Sequence, residues 1–126
     1  MARDAIIWVE RGQRNPGERA ESITVDGATR SRVFARIDAA LVDWDDPTLI
    51  VEIDIETSIN FGPWQHSGGG AFQGGSRTRD GRLPTVELSQ RDQSTGELVP
   101  LGAGVRVRFT YLLNKRARVG LVGEVE

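Results

Sequence analysis

The chain is predicted to be all-β, an antiparallel β-sandwich of jelly-roll-like plan with an immunoglobulin-like plan as the alternative. Three observations predict this. Apolar and polar residues alternate with period two in several separate segments, the pattern of strands with one buried and one solvated face. No window keeps apolar residues at i, i+3, i+4 and i+7 over three turns, so no amphipathic helix of ordinary length is expected. Turn-forming residues recur at intervals of roughly ten positions, the spacing of short strands in a sandwich. The chain has no cysteine, so the immunoglobulin cysteine pair is missing, which favours the jelly roll.

The elements follow in order. Residues 5–9 (AIIWV) read as a short first strand or an ordered arm, and 11–21 (RGQRNPGERAE) as a mobile polar connection. Ile23 and Val25 flank Thr24 and run into Asp26-Gly27, a hairpin-type turn signal. Val33, Ala35 and Ile37 share one face of the next strand, with Arg32, Phe34 and Arg36 on the other. Residues 38–44 (DAALVDW) have room for one helical turn. The clearest strand is 49–55, where Leu49, Val51, Ile53 and Ile55 point inward and Ile50, Glu52 and Asp54 mostly to solvent, with Glu56 continuing that outer row. Val86 to Leu88 makes a shorter strand, and 90–95 a polar turn. Val105, Val107, Phe109 and Tyr111 alternate with Arg106, Arg108 and Thr110, then Asn114 to Arg116 supplies a turn. Val119, Leu121, Gly123 and Val125 end the chain on another alternation. Val51, Ile53, Val107 and Phe109 are the expected core.

At 126 residues one domain is expected. It divides into residues 1–21, an N-terminal arm or edge strand with its linker, and residues 22–126, a single sandwich carrying a long glycine-rich loop over 62–84. Disulfides and thiolate metal sites are excluded by the lack of cysteine. The formal net charge is -2, from 16 basic and 18 acidic residues, so there is no broad field to attract nucleic acid. All basic residues but Lys115 are arginine, which suits protein contacts and bidentate carboxylate pairing; a GC-rich coding sequence gives the same bias. No apolar run approaches the ~20 residues that cross a bilayer, and the N-terminal apolar stretch is too short and too charged at its flanks for a signal peptide. The chain is expected to be made in the cytoplasm and to stay soluble.

Most of the chemistry-bearing residues fall in 61–84, FGPWQHSGGGAFQGGSRTRDGRLP, with seven glycines and the single histidine, His66. Catalysis by His66 needs a nucleophile and an orienting acid from elsewhere; Ser67 and Ser76 sit near it in sequence but lack a nucleophile-elbow pattern. No catalytic residue is expected, and His66 reads as a surface residue. Asp43, Asp45 and Asp46 (VDWDDP) cluster as a hard cation prefers, yet lack the EF-hand spacing and read as turn formers. The glycines lack the Gly-Lys-Ser/Thr or strand-to-helix context of a phosphate cradle, and read as flexible backbone or as backbone packed closely against a neighbouring subunit. No cofactor and no metal is expected. Trp64, Phe72, Arg77, Arg79 and Arg82 form an aromatic and basic set that suits a protein interface better than nucleic acid, given the acidic total. A sugar-stacking role for Trp64 or Trp44 is the carbohydrate-binding alternative.

From Ile23 onward the chain resembles small virion proteins of tailed bacteriophages and prophages. The residues that carry the resemblance are ITVDGATRSRVFARID, then DDPTLIVEIDIETSINFGPW, then the glycine stretch with FQGG and RDGRLP, and last GVRVRFTYLL. The resemblance implies a non-catalytic structural protein of the virion, a capsid decoration protein or a head–tail or tail accessory protein. Its partners would be other virion proteins, the major capsid protein or further copies of itself as a homo-oligomer, with no membrane contact. The 1–21 arm and the 62–84 loop are the expected extensions toward neighbours, and removing 1–21 is expected to leave the sandwich folded but to abolish assembly.

Overall fold

A computed structural model describes residues 5–10, 13–21, 24–37, 44–118 and 121–125. These residues contain no helix and eleven strands: β1 (Ala5–Glu10), β2 (Gln13–Arg14), β3 (Ala20–Glu21), β4 (Val25–Asp26), β5 (Arg32–Ile37), β6 (Ile50–Ile59), β7 (Gln65–Gln73), β8 (Thr85–Ser89), β9 (Val105–Leu113), β10 (Ala117–Arg118) and β11 (Leu121–Val125). One sheet has the order β1-β11-β5-β8, the other β3-β9-β6-β7 with β4 also on β9, and β2 pairs β10 in a small ribbon. Every strand pair is antiparallel. The two-sheet plan is common to the jelly-roll-like and immunoglobulin-like expectations.

Alternation explains the core. Val33, Ala35 and Ile37 of β5 and Val125 of β11 face Val51, Ile53 and Ile55 of β6 and Val107, Phe109 and Tyr111 of β9, all at 0–1 % exposure. The four residues expected inside are among them. The two longest inner strands lie side by side, with Ile53 opposite Tyr111 and Ile55 opposite Phe109, so same-face pairs stack along the sheet. Trp44 and Leu49 belong to the same cluster.

Two expectations are corrected. The 62–84 segment is not one long loop: Gln65–Gln73 is a strand paired to β6 along most of its length, with a bulge at Ser67, and only 74–84 is a connection. Gly69 and Gly70 of this strand allow close contact. A Cβ at Gly69 would lie 2.2 Å from the Ile53 carbonyl oxygen, and the Phe72 ring covers Gly70 closely enough to meet a Cβ there at 2.9 Å, filling the space that a side chain leaves empty.

Of the two forms expected for the N-terminal segment, it takes the edge strand, and the correction concerns its linker. β1 pairs β11 from Ala5 opposite Val125 to Glu10 opposite Leu121. The connection expected to be mobile is pinned by β2 on β10 and β3 on β9, by Gly17 N–H donating to the Leu113 carbonyl at 3.1 Å, and by buried Ala20. Short polar segments pair here because β9 and β10 would otherwise leave unbonded backbone groups. The helical turn expected in 38–44 falls mostly outside the described residues, as do Ile23 and Val119; Trp44 itself is in a turn.

Candidate functional site

The 74–84 connection carries the three arginines singled out in the sequence. Its start is anchored by Trp44, whose indole N–H donates to the Ser76 carbonyl at 2.9 Å, and by Gly74 N–H donating to the Leu49 carbonyl at 2.8 Å. Gly74 is obligatory, since a Cβ there would lie 1.8 Å from the Asp46 carbonyl oxygen. Its end is anchored by buried Pro84, whose carbonyl accepts from Ile37 N–H at 3.3 Å.

Between the anchors the chain hydrogen-bonds to itself. Gly81 N–H donates to Thr78 O at 2.9 Å and Thr78 N–H to Arg82 O at 2.8 Å. The Thr78 hydroxyl donates to Asp80 and accepts from Arg82 N–H at 3.1 Å. Arg77 Nη1 donates to Gly81 O at 3.1 Å, and Arg82 Nε pairs with Asp80 Oδ2 at 3.1 Å. The Thr78 hydroxyl, aided by the Arg82 charge, holds the Asp80 carboxyl below its ordinary pKa. Arg77, Arg79 and Arg82 nonetheless stand in solvent, Arg82 with 83 % of its side chain exposed. Beside them a groove of about 540 Å³ runs over the outer face of the first sheet, lined by Arg32, Phe34, Arg36, Arg82, Leu83 and Glu87 among others. Arg32 stacks on the Phe34 ring at 5.0 Å and pairs with Glu87 at 2.7 Å.

Trp64 is elsewhere. It lies on the outer face of the second sheet, where Arg108 and Arg106 stack on its ring at 4.2 and 5.2 Å. Arg106 also stacks on Phe61 at 4.6 Å, so the side chains form a ladder Phe61–Arg106–Trp64–Arg108. Arg108 continues it by pairing with Glu56 at 2.9 Å and Glu21 at 3.5 Å, and Arg106 donates to the buried Ser58 hydroxyl at 2.9 Å. The interface set drawn from the sequence is thereby split in three. Arg77, Arg79 and Arg82 share one loop, Trp64 sits on the opposite face of the sandwich, and Phe72 packs against the core. Phe72 turns inward because it lies opposite Val51, a core position.

The remaining candidates are dispersed. His66 is 68 % exposed on its side chain, with Asp54 Oδ1 at 3.8 Å from its Nδ1. The Ser67 hydroxyl is engaged by Thr57 at 2.6 Å rather than by His66. Asp46 acts as a turn former: its Oδ1 accepts from Thr48 N–H at 2.9 Å and its Oδ2 from Lys115 Nζ at 2.7 Å. The Lys115 bond foremost, then those from Thr48, holds the Asp46 carboxyl far below the ordinary range. Asp43 lies outside the described residues. Among the described residues no cluster of three or more His, Asp or Glu is arranged to hold a metal ion. Trp44 is 4 % exposed, which removes it as a sugar platform, and the Trp64 ring already carries two guanidinium groups.

Sequence reading missed Ile59 and Phe61, the exposed large apolar residues at the end of β6, at 58 % and 83 % exposure. It also missed Arg106 and Arg108, which read only as the wet face of a strand. The available signal was Asn60, a turn former between two large apolar residues. No protein-family model matches the chain, and no curated protein matches it.

Proposed function

We propose that the chain is a non-catalytic structural protein of a phage-like particle, made in the host cytoplasm and incorporated in the virion. Capsid decoration or cement is the reading preferred over a head–tail or tail accessory role. The resemblance over Ile23 onward supports the setting. The observation that carries the reading is the 76–84 loop, a self-bonded turn that holds Arg77, Arg79 and Arg82 in solvent.

A loop already fixed by its own hydrogen bonds loses little freedom when it docks. Guanidinium groups on such a frame suit bidentate contact with carboxylates of a neighbouring subunit, the major capsid protein or another copy. Docking therefore rests on this loop rather than on an N-terminal arm, whose backbone is already used by the sheet.

The triple variant Arg77→Ala, Arg79→Ala, Arg82→Ala tests the proposal. It is expected to keep the wild-type circular dichroism spectrum and to lose occupancy on purified particles of its source, measured by co-sedimentation. A triple variant that decorates particles as fully as wild type overturns the loop as the docking element.

A further inference from the structure

The turn that joins β6 to the 62–64 connection breaks a local rule. Gly62 N–H donates to the Ile59 carbonyl at 2.9 Å, and both central residues, Asn60 and Phe61, have positive φ, 51° and 59°. Turns of this kind favour Asn followed by Gly, because a side chain at the second position is strained. Phenylalanine occupies that position. The turn is held in place from three sides: Asn60 N–H donates to Gly104 O at 2.9 Å, the Ser58 hydroxyl donates to Gly62 O at 2.7 Å, and Arg106 stacks on the Phe61 ring. The ring gains little burial from this, being 83 % exposed. A strained, exposed aromatic residue on a rigid frame is the kind of local inconsistency that marks a contact surface.

The Phe61 ring forms one wall of a groove of about 380 Å³, whose other walls are the small residues Thr24, Ala28, Ala103 and Gly104 together with Asp26 and Arg106. A cavity of about 150 Å³ accepts a benzene ring, so the groove has room for a phenyl group. Knob and groove adjoin on one end of one chain, the arrangement a two-fold contact requires, since each copy must present both halves. The charges match as well. Asp26 stands opposite Arg106 in the β4–β9 register, so each copy brings one cation and one anion to the same groove. Among the described residues Arg106 has no carboxylate partner.

We propose that this end of the sandwich is a self-association surface, with Phe61 of each copy entering the groove of the other across a two-fold axis. Ile59 flanks the contact and is covered with it. The occupant is a second copy of this chain, and the contact is separate from the arginine loop that joins the two sheets.

Sedimentation equilibrium of the full chain over a concentration series reaching about 1 mM tests it. Wild type is expected to dimerise. Phe61→Gly, which removes the knob and relieves the turn, is expected to weaken dimerisation about tenfold or more. Ala103→Arg, which fills the groove and leaves the knob, is expected to do the same, and it keeps the test open if the first variant fails to fold. The arginine-loop triple variant should dimerise as wild type does, which separates this surface from the particle-docking reading. A wild-type chain monomeric throughout the series overturns the proposal, as does dimerisation of Ala103→Arg at wild-type strength. Loss of particle binding in Phe61→Gly with a monomeric wild type would assign the knob to a different protein and likewise overturn it.

Discussion

Left-handed backbone at Phe61 costs about 1–2 kcal/mol for a residue with a Cβ, and an exposed stack on Arg106 returns about 0.5–1 kcal/mol. Glycine at this position has neither the cost nor the stack. Phe61→Gly is therefore expected to raise the unfolding free energy by up to about 1.5 kcal/mol, read as a higher urea midpoint with unchanged slope. An unchanged or lower midpoint would mean that the ring supports the fold more than its exposure suggests.

The opposite sign is expected at Gly74. Its Cβ position is occupied by the Asp46 carbonyl oxygen at 1.8 Å, a backbone atom that yields only if the turn moves. Gly74→Ala is expected to cost about 1–3 kcal/mol, as overpacking does, measured by the same titration. Ile53, at 0 % exposure, is an ordinary core position, and truncation to alanine is expected to cost about 2–5 kcal/mol.

Among the elements, β6 and β9 were legible because their alternation is long and their inner residues are large. β7 was not legible. Glycine contributes neither propensity nor pattern, and Gln65–Gln73 becomes a strand because β6 offers it a full row of backbone partners. The same applies to the short strands β2 and β3, two residues each, whose polar sequences carry no strand signal. β1 shows a consequence that can be measured. Removing residues 1–21 strips the pairing from β11 and takes buried Ala20 from the core. The truncated chain is expected to unfold at a clearly lower temperature and to aggregate through the bared β11 edge. Truncation with an unchanged melting temperature would show that β1 is dispensable to the sheet.

For the whole molecule, acid is the condition that reaches the surface ion pairs. Asp46 and Asp80 both have carboxyl pKa values below their ordinary 3.8 in the fold. A carboxylate with a depressed folded pKa contributes stability that is full above its unfolded value and is lost as pH falls through the folded one. Stability is therefore expected to be level from neutral pH down to about pH 5 and to decline below about pH 4, within the carboxylate range. Asp46→Asn should flatten that decline, because it removes a titrating group whose bond to Lys115 exists only when ionised. An acid limb identical in the variant would place the loss elsewhere.

Strand positions and inner faces were available from local order alone, because a period of two is written in neighbouring residues and burial follows from it. Val33, Val51, Ile53, Val107 and Phe109 could be assigned inward without knowing which strand met which. Surface chemistry was not available in that way. Arg106 meets Ser58, Phe61 and Trp64 only because β6 and β9 pair in one register. Trp64 and Arg82 lie within one glycine-rich stretch of sequence yet end on opposite faces of the sandwich. The separation of the arginine loop from the aromatic ladder, and the left-handed setting of Phe61, were decided by contacts between residues far apart in the chain, which no local pattern encodes.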